Sequence, residues 1–260
     1  MNLQNNQLKW VDNHCHFEEN DDIRTDLEQA EAEGVQKFIV VGTDLKTSQR
    51  ANQLAQTFPN KIFATAGIHP HEAKHGTEGI KSLCAEDGTV AVGECGLDFY
   101  YDHSPQDEQK NVFRTHIEYA HELDLPLIIH TREAWPETFQ ILAEMGTPKR
   151  TVFHCFTGGP NEAELALQTG AFLSFSGIVT FKNATDLREA LKITPQQRIM
   201  VETDSPYLAP EPMRGKRNRP KYLPYVGNRI AEELSIDPAD LAEAVWENTH
   251  YFYGLQPQAN

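Results

Sequence analysis

Cysteine, basic charge and long apolar runs are all scarce in this chain. Its four cysteines, Cys15, Cys84, Cys95 and Cys155, are too few for a disulfide framework in 260 residues, which excludes the disulfide-stapled class and fits a reducing compartment. No apolar run approaches the ~20 residues needed to cross a bilayer. The start, Met1-Asn2-Leu3-Gln4-Asn5-Asn6-Gln7, lacks a basic segment followed by an apolar one and does not read as a secretion signal. A cytoplasmic protein with no membrane partner is therefore expected. Lysine and arginine number 23 against 38 acidic residues, for a net charge of −15. That deficit argues against a general duplex-binding surface, because phosphate contacts come mainly from Lys and Arg. A phosphodiester held by metal ions and a local basic patch remains compatible with it. Linkers, low-complexity tracts and obvious repeats are missing too, so one domain over 1–260 is expected.

What is present is an alternation of short β-rich runs with longer amphipathic stretches. The expected strands are Leu8–Asp12, Phe38–Val41, Ile62–Ala66, Val90–Val92, Leu127–His130, Thr151–His154, Phe172–Ser174 and Ile199–Glu202. Helical patterns include Asp22–Glu33, Thr47–Thr57, Gln106–Leu123, Glu133–Met145, Asn161–Gln168, Tyr222–Glu233 and Pro238–Tyr253. Eight strand–helix units in about 250 residues is the arithmetic of an α/β fold of the TIM (β/α)8 barrel type. An open doubly wound sheet is the alternative. The barrel is favoured because the unusual polar residues fall at the C-terminal ends of strands, where barrel enzymes build their sites.

Read in order, those ends carry His14 and His16, then His69 and His71, then Glu94, His130, His154, and the Glu202-Thr203-Asp204-Ser205-Pro206 run; the second strand ends plainly. Two histidines one residue apart share a side of an extended strand. Singly, each of these residues has an ordinary explanation as a rim residue, a cap or a turn. Together, four histidines (His14, His16, His130, His154) and two carboxylates (Glu94, Asp204) make a metal site the better reading. Six N and O ligands without thiolate can hold two divalent ions, with a carboxylate as bridge. Such a shell suits zinc, manganese, cobalt or nickel, whereas magnesium prefers oxygen alone. Cys15 and Cys155 neighbour histidines, but strand alternation turns them away, and they read as small buried side chains.

Arg214, Lys216, Arg217 and Arg219, with Lys221 close behind, form the densest basic cluster in this acidic chain. It follows Asp204, and phosphate binding is weighed there against a solvated charged loop. Arg132, two residues past His130, could bind phosphate from inside the pocket. Phe99, Tyr100, Tyr101 and Tyr207 are candidate rim aromatics for stacking a base, against a plainer role in packing loops.

Asp12-Asn13-His14-Cys15-His16, Gly67-Ile68-His69-Pro70-His71, Gly93-Glu94-Cys95-Gly96-Leu97-Asp98, His130-Thr131-Arg132, His154-Cys155-Phe156-Thr157-Gly158, Ser174-Phe175-Ser176-Gly177, Glu202-Thr203-Asp204-Ser205-Pro206-Tyr207-Leu208 and Arg214-Gly215-Lys216 stand in order along the chain. Together they resemble the motifs of the TatD family of metal-dependent deoxyribonucleases, in the amidohydrolase superfamily, over about 11–255. The resemblance implies a two-metal barrel hydrolysing DNA from its 3′ end. It implies His14, His16, Glu94, His130, His154 and Asp204 as ligands, with Glu94 bridging and Asp204 orienting water or taking its proton. Asp12 would hold the strand end rather than a metal. His69, Arg132, Ser205 and Arg214 are assigned to substrate. Two divalent ions (zinc, manganese or magnesium) and DNA, as single strands or 3′ ends, are the expected cofactors and partner; no obligate protein partner is evident. Asn13 and Phe17-Glu18 depart from the family pattern without touching the ligand set. An amidohydrolase-type enzyme acting on a cyclic amide, lactone or small phosphoester is the alternative, but such barrels often bridge their metals with a modified lysine. Here the corresponding strand ends read Gly93-Glu94 and Ile129-His130.

Overall fold

The computed structural model describes residues 8–101 and 103–255, so the polar start Met1–Gln7 lies outside the described residues. Eight strands run β1 (Trp10–Cys15), β2 (Val35–Val40), β3 (Ile62–Ala66), β4 (Thr89–Asp98), β5 (Leu127–Arg132), β6 (Thr151–Phe153), β7 (Phe172–Phe175) and β8 (Ile199–Val201). All pairings are parallel and sequential. The ring closes where β1 meets the segment after β8: the Asp204 amide donates to the His14 carbonyl at 2.9 Å and the His16 amide to the Ser205 carbonyl at 2.8 Å. This is the expected TIM barrel. Around it lie α1 (Ile23–Ala32), α2 (Leu45–Thr57), α3 (Ile80–Cys84), α4 (Gln106–Leu123), α5 (Trp135–Met145), α6 (Pro160–Gln168), α7 (Thr185–Ile193), α8 (Leu223–Leu234) and α9 (Pro238–Tyr253).

Period-two alternation sorts the strand residues. Phe38 and Val40 pack outward against helices, as do Leu127 and Ile129. Ile39, Val41, Ile128, Val152, Phe172 and Met200 form the barrel interior, joined by Phe252, Tyr253 and Leu255 from the end of the chain. Phe252 meets Phe172 with ring centroids 5.3 Å apart. Because Phe172 begins its strand, the last turn of α9 plugs the end of the barrel opposite the strand C-termini. That leaves the other end for chemistry.

Three helix starts are capped by an aspartate side chain. Asp44 caps α2 by accepting from the Thr47 amide at 2.7 Å, and the Thr47 hydroxyl reciprocates, an arrangement worth about 1 kcal/mol. Asp22 caps α1 and Asp237 caps α9 in the same way. The ranges expected for β3, α4 and α9 coincide with those observed. Expected strand one stops at Asp12, whereas β1 runs to Cys15, and expected strand four stops at Val92, whereas β4 runs to Asp98. Strands buried on both faces need not alternate in polarity, so the buried Asp12, Asn13, His14 and Glu94 do not mark an end.

Candidate metal centre

Glu94 is placed by an irregularity in β4. Ala91 faces the barrel interior and Val92 faces the helices, so strict alternation would send Glu94 outward with Val92. The β4–β5 register shifts between Val92 and Cys95. Beyond the shift Cys95 and Leu97 face outward, and Glu94 and Asp98 face in. The shift moves the strand by one residue of phase, as a bulge does. Glycine permits it: Gly93 and Gly96 sit at φ 133° and 134°, and a Cβ on Gly96 would lie 2.0 Å from the His130 carbonyl oxygen.

Four imidazoles converge on the two Glu94 oxygens. Oε2 lies 3.3 Å from His14 Nε2. Oε1 lies 2.8 Å from His154 Nε2, 3.1 Å from His130 Nδ1 and 3.5 Å from His69 Nε2. Asp204, following β8, reaches the β1 side: its Oδ1 is 3.6 Å from His16 Nε2 and 3.9 Å from His14 Nε2. Three sets of donor atoms result, each within 4.8 Å: His14, Glu94 and His154; His14, His16 and Asp204; His69, Glu94 and His130. All six residues expected as ligands are thus brought together. His69, expected at the substrate, stands among the donors as well, and no cysteine does.

Behind this layer, acceptors fix which nitrogen each ring presents. Asp98 Oδ2 accepts from His130 Nε2 at 3.1 Å, leaving Nδ1 toward Glu94. Glu202 Oε1 lies 3.2 Å from His154 Nδ1, leaving Nε2 inward. The Val41 carbonyl takes His16 Nδ1 at 3.1 Å. Asp12 ties β1 to the segment after β8, accepting from the Thr203 amide at 2.8 Å and its hydroxyl at 2.6 Å. The sequence motifs contain Asp98 and Glu202 without singling them out. The available signal was spacing, since Asp98 follows Gly96 and Glu94 at period two and Glu202 precedes Asp204 by two.

Charge is strongly organised here. Burial pushes the Glu94 carboxyl up, but the His154, His69 and His14 rings outweigh it and hold it well below the usual range. Burial depresses His14, with His154 adding to the effect, and drives His69 well below its ordinary value. Burial also works against a charged His154, yet Glu94 and Glu202 lift it well above the ordinary histidine value. Asp204 is held down by the His16 hydrogen bond and by His14, against burial.

The residues present fit divalent ions. Among the described residues, neither buried ring nitrogen of His14 has a hydrogen-bond partner, a costly state for a polar atom. An ion between Nε2 and the facing Glu94 and Asp204 oxygens would satisfy one of them. The shell of imidazole and carboxylate without thiolate fits one or two divalent ions of the zinc or manganese kind.

The other expected substrate contacts have mixed placements. The Arg132 guanidinium lies at the rim, 4.2 Å from the Tyr100 ring and 4.7 Å from the Tyr101 ring. Ser205 is buried at the barrel closure, and its hydroxyl has no hydrogen-bond partner among the described residues. Arg214 lies over the Phe181 ring at 3.8 Å and donates to the Ala209 carbonyl. Two of the four remaining basic residues of the cluster are neutralised, whereas Lys216 lies against Met213 and Lys221 donates to the Gln29 side chain. Arg217 pairs with Glu18 at 2.7 Å and Asp21 at 2.9 Å, and Arg219 pairs with Asp26. Sequence order could not show this, because the acidic partners lie nearly 200 residues away, before and within α1.

The family model described as "TatD related DNase" matches residues 11–254. Among similar proteins, an uncharacterized metal-dependent hydrolase, YabD of Bacillus subtilis, is 42% identical, covering 94% of this chain and 98% of its own. The 3'-5' ssDNA/RNA exonuclease TatD of a Rahnella species is 35% identical, covering 88% of this chain and 91% of its own. The crystal structure of YJJV, a TatD homolog from Escherichia coli, superposes with a TM-score of 0.89 at 26% identity, over 96% of this chain and 99% of that one.

Proposed function

The chain belongs to the TatD family of metal-dependent hydrolases, in the amidohydrolase superfamily, and on that premise we propose that it hydrolyses DNA phosphodiester bonds, working from the 3′ end of single strands. One observation carries the reading: Glu94 divides its two oxygens between a His14 side and a His69, His130 and His154 side. A carboxylate so placed would suit one shared by two ions, with His14, His16, His69, His130, His154 and Asp204 as the other residues that would hold them.

When bound, two such ions supply Lewis-acid stabilisation of charge on the phosphoryl oxygens and a nucleophile available near neutral pH. The protein groups do the rest. Asp204, depressed below its usual value, is ionised at neutral pH and able to orient an attacking water and take its proton. Asp98 and Glu202 keep His130 and His154 aimed inward, so the donors need no reorganisation during the reaction. Arg132 offers its guanidinium edge to a phosphate oxygen. The relative named as a 3'-5' ssDNA/RNA exonuclease supports the choice of substrate. So does the charge of −15, which suits a strand end held locally better than a long duplex. Glutamate at the bridging position, where related barrels often use a modified lysine, favours this reading over a cyclic amide or lactone. Four free cysteines fit a reducing compartment, and we place the protein in the cytoplasm.

Metal analysis beside digestion of 3′-labelled and 5′-labelled single strands, across several divalent ions, tests the proposal. Label released first from the 3′ end is expected, with Asp204→Ala lowering kcat by about 10²–10⁴ while the fold persists. Release of internal fragments only, or full activity in that variant, would overturn it.

A further inference from the structure

Four aromatic residues stand at or near the rim, and their surroundings differ. Phe99 is half-buried, with the Lys110 ammonium 5.6 Å from its ring. Tyr100 and Tyr101 meet edge to face at 4.8 Å, and both lie against the Arg132 guanidinium. Tyr101 also stacks on His103 at 5.7 Å, with planes 14° apart. Both are exposed, at 54% and 43%, but each has the Arg132 guanidinium against its ring. Tyr207 is different. It is 62% exposed, its backbone amide donates to the Asp204 carbonyl at 2.9 Å, and its ring centroid lies 6.5 Å from that of His16 at 65°. An open ring is thus fixed beside the His16–Asp204 donor set.

Position around the barrel gives this ring a direction. Arg132 ends β5, whereas Tyr207 follows β8 and its junction with β1, which puts the two on opposite sides of an eight-stranded ring with the donor atoms between them. The Arg132 side presents a guanidinium against two tyrosine rings, with no carboxylate partner among the described residues. On the Tyr207 side, Arg217 and Arg219 are neutralised by Glu18, Asp21 and Asp26. The Tyr207 ring itself offers an uncharged planar surface beside the donor atoms. We propose that Tyr207 is a specificity-determining residue whose exposed ring stacks the base of one nucleotide adjoining the scissile phosphate, while Arg132 holds a phosphate on the opposite flank. This rests on the reading of the site as a DNA phosphodiesterase. It adds that the enzyme recognises a base, by a stacking contact that is tolerant of base identity.

The test compares metal-loaded wild type, Tyr207→Ala and Tyr207→Phe on a short single strand and on versions lacking one base at successive positions from the 3′ end. On the intact strand Tyr207→Ala is expected to raise KM by about 5- to 150-fold, the equivalent of ~1–3 kcal/mol of base stacking, with Tyr207→Phe close to wild type and metal content unchanged in both. At one abasic position wild type should show the same rise in KM, and Tyr207→Ala should add nothing further. A loss in Tyr207→Ala that persists undiminished at every abasic position would overturn the stacking role, as would an unaltered KM on the intact strand. If wild type cleaves none of the strands, the phosphodiesterase reading fails and this inference falls with it; wild-type turnover with either of the other results sinks the inference alone.

Discussion

Asp98, which the sequence motifs contain without singling out, ties together two histidines and a loop at the site. Its Oδ2 accepts from His130 Nε2 and His71 Nε2, each at 3.1 Å. Its Oδ1 accepts the amides of Tyr100 at 3.0 Å and Tyr101 at 2.9 Å. One carboxylate thereby aims a donor histidine and fixes the loop against which Arg132 lies. Asp98→Asn is informative because it keeps the shape and, with the amide oxygen held by the two tyrosine amides, reverses the two hydrogen bonds at the Oδ2 position. An amide N–H facing His130 Nε2 asks that nitrogen to be an acceptor, which puts the ring proton on Nδ1, the atom directed at Glu94. Ion affinity should fall by about 10–100-fold, the usual cost of losing such an outer partner, with little change in melting temperature of the ion-free protein. Chelator competition checks this, and an unaltered affinity would show that His130 is not held through Asp98.

At the scale of elements, His116 stitches α4 to the loop after β3. Its Nε2 accepts the Ile68 amide at 3.0 Å, and its Nδ1 donates to the Val112 carbonyl at 2.7 Å. Ile68 immediately precedes His69, so the helix steadies the strand end that carries a donor. The bond from the Ile68 amide requires a neutral ring, and burial pushes its pKa down to about 4 from 6.5. The folded protein therefore holds this proton less tightly than the unfolded chain. The sign follows: the contribution is complete above pH 6.5 and is lost as the pH falls toward 4, a change of roughly 3 kcal/mol. Denaturant melts of the ion-free protein between pH 7 and pH 4 should show that loss. In His116→Gln, less stable throughout, the curve should flatten over that window; an unchanged slope would exclude His116 as its source.

For the whole molecule, the donors come from every quarter of the barrel: β1, the loop after β3, β4, β5, and the segments after β6 and β8. An unfolded chain cannot assemble them, so ions bind the native state alone and stabilise it by mass action. At 100 times the dissociation constant the gain is about 2.7 kcal/mol. For a protein of this size that raises the melting temperature by roughly 5–10 °C. Calorimetric scans with and without chelator measure it. No shift on adding zinc or manganese would mean that these donors hold no ion.

Much of this protein was legible along the chain. Parallel strands and their covering helices write themselves into local pattern, so α4, α9 and β3 could be bounded from sequence, and histidines at successive strand ends announced a site. Two short helices, α3 and α7, were not anticipated. Strand ends also blurred where buried polar residues such as Asn13 continued a strand: Asn13 Nδ2 donates to the Val201 carbonyl at 3.0 Å and its Oδ1 accepts from Thr249 at 2.9 Å, partners that exist only after folding. Pairing within the basic loop was hidden for a similar reason, because Arg217 and Arg219 meet carboxylates distant in sequence. Sequence by itself determined the barrel and which residue types converge, since strand periodicity and ligand chemistry are local properties. Only the tertiary structure decided that Glu94 faces inward, through a one-residue shift against β5, and that Asp98 and Glu202 stand behind the histidines. Register and through-space partners are relations between strands, and no single strand contains them.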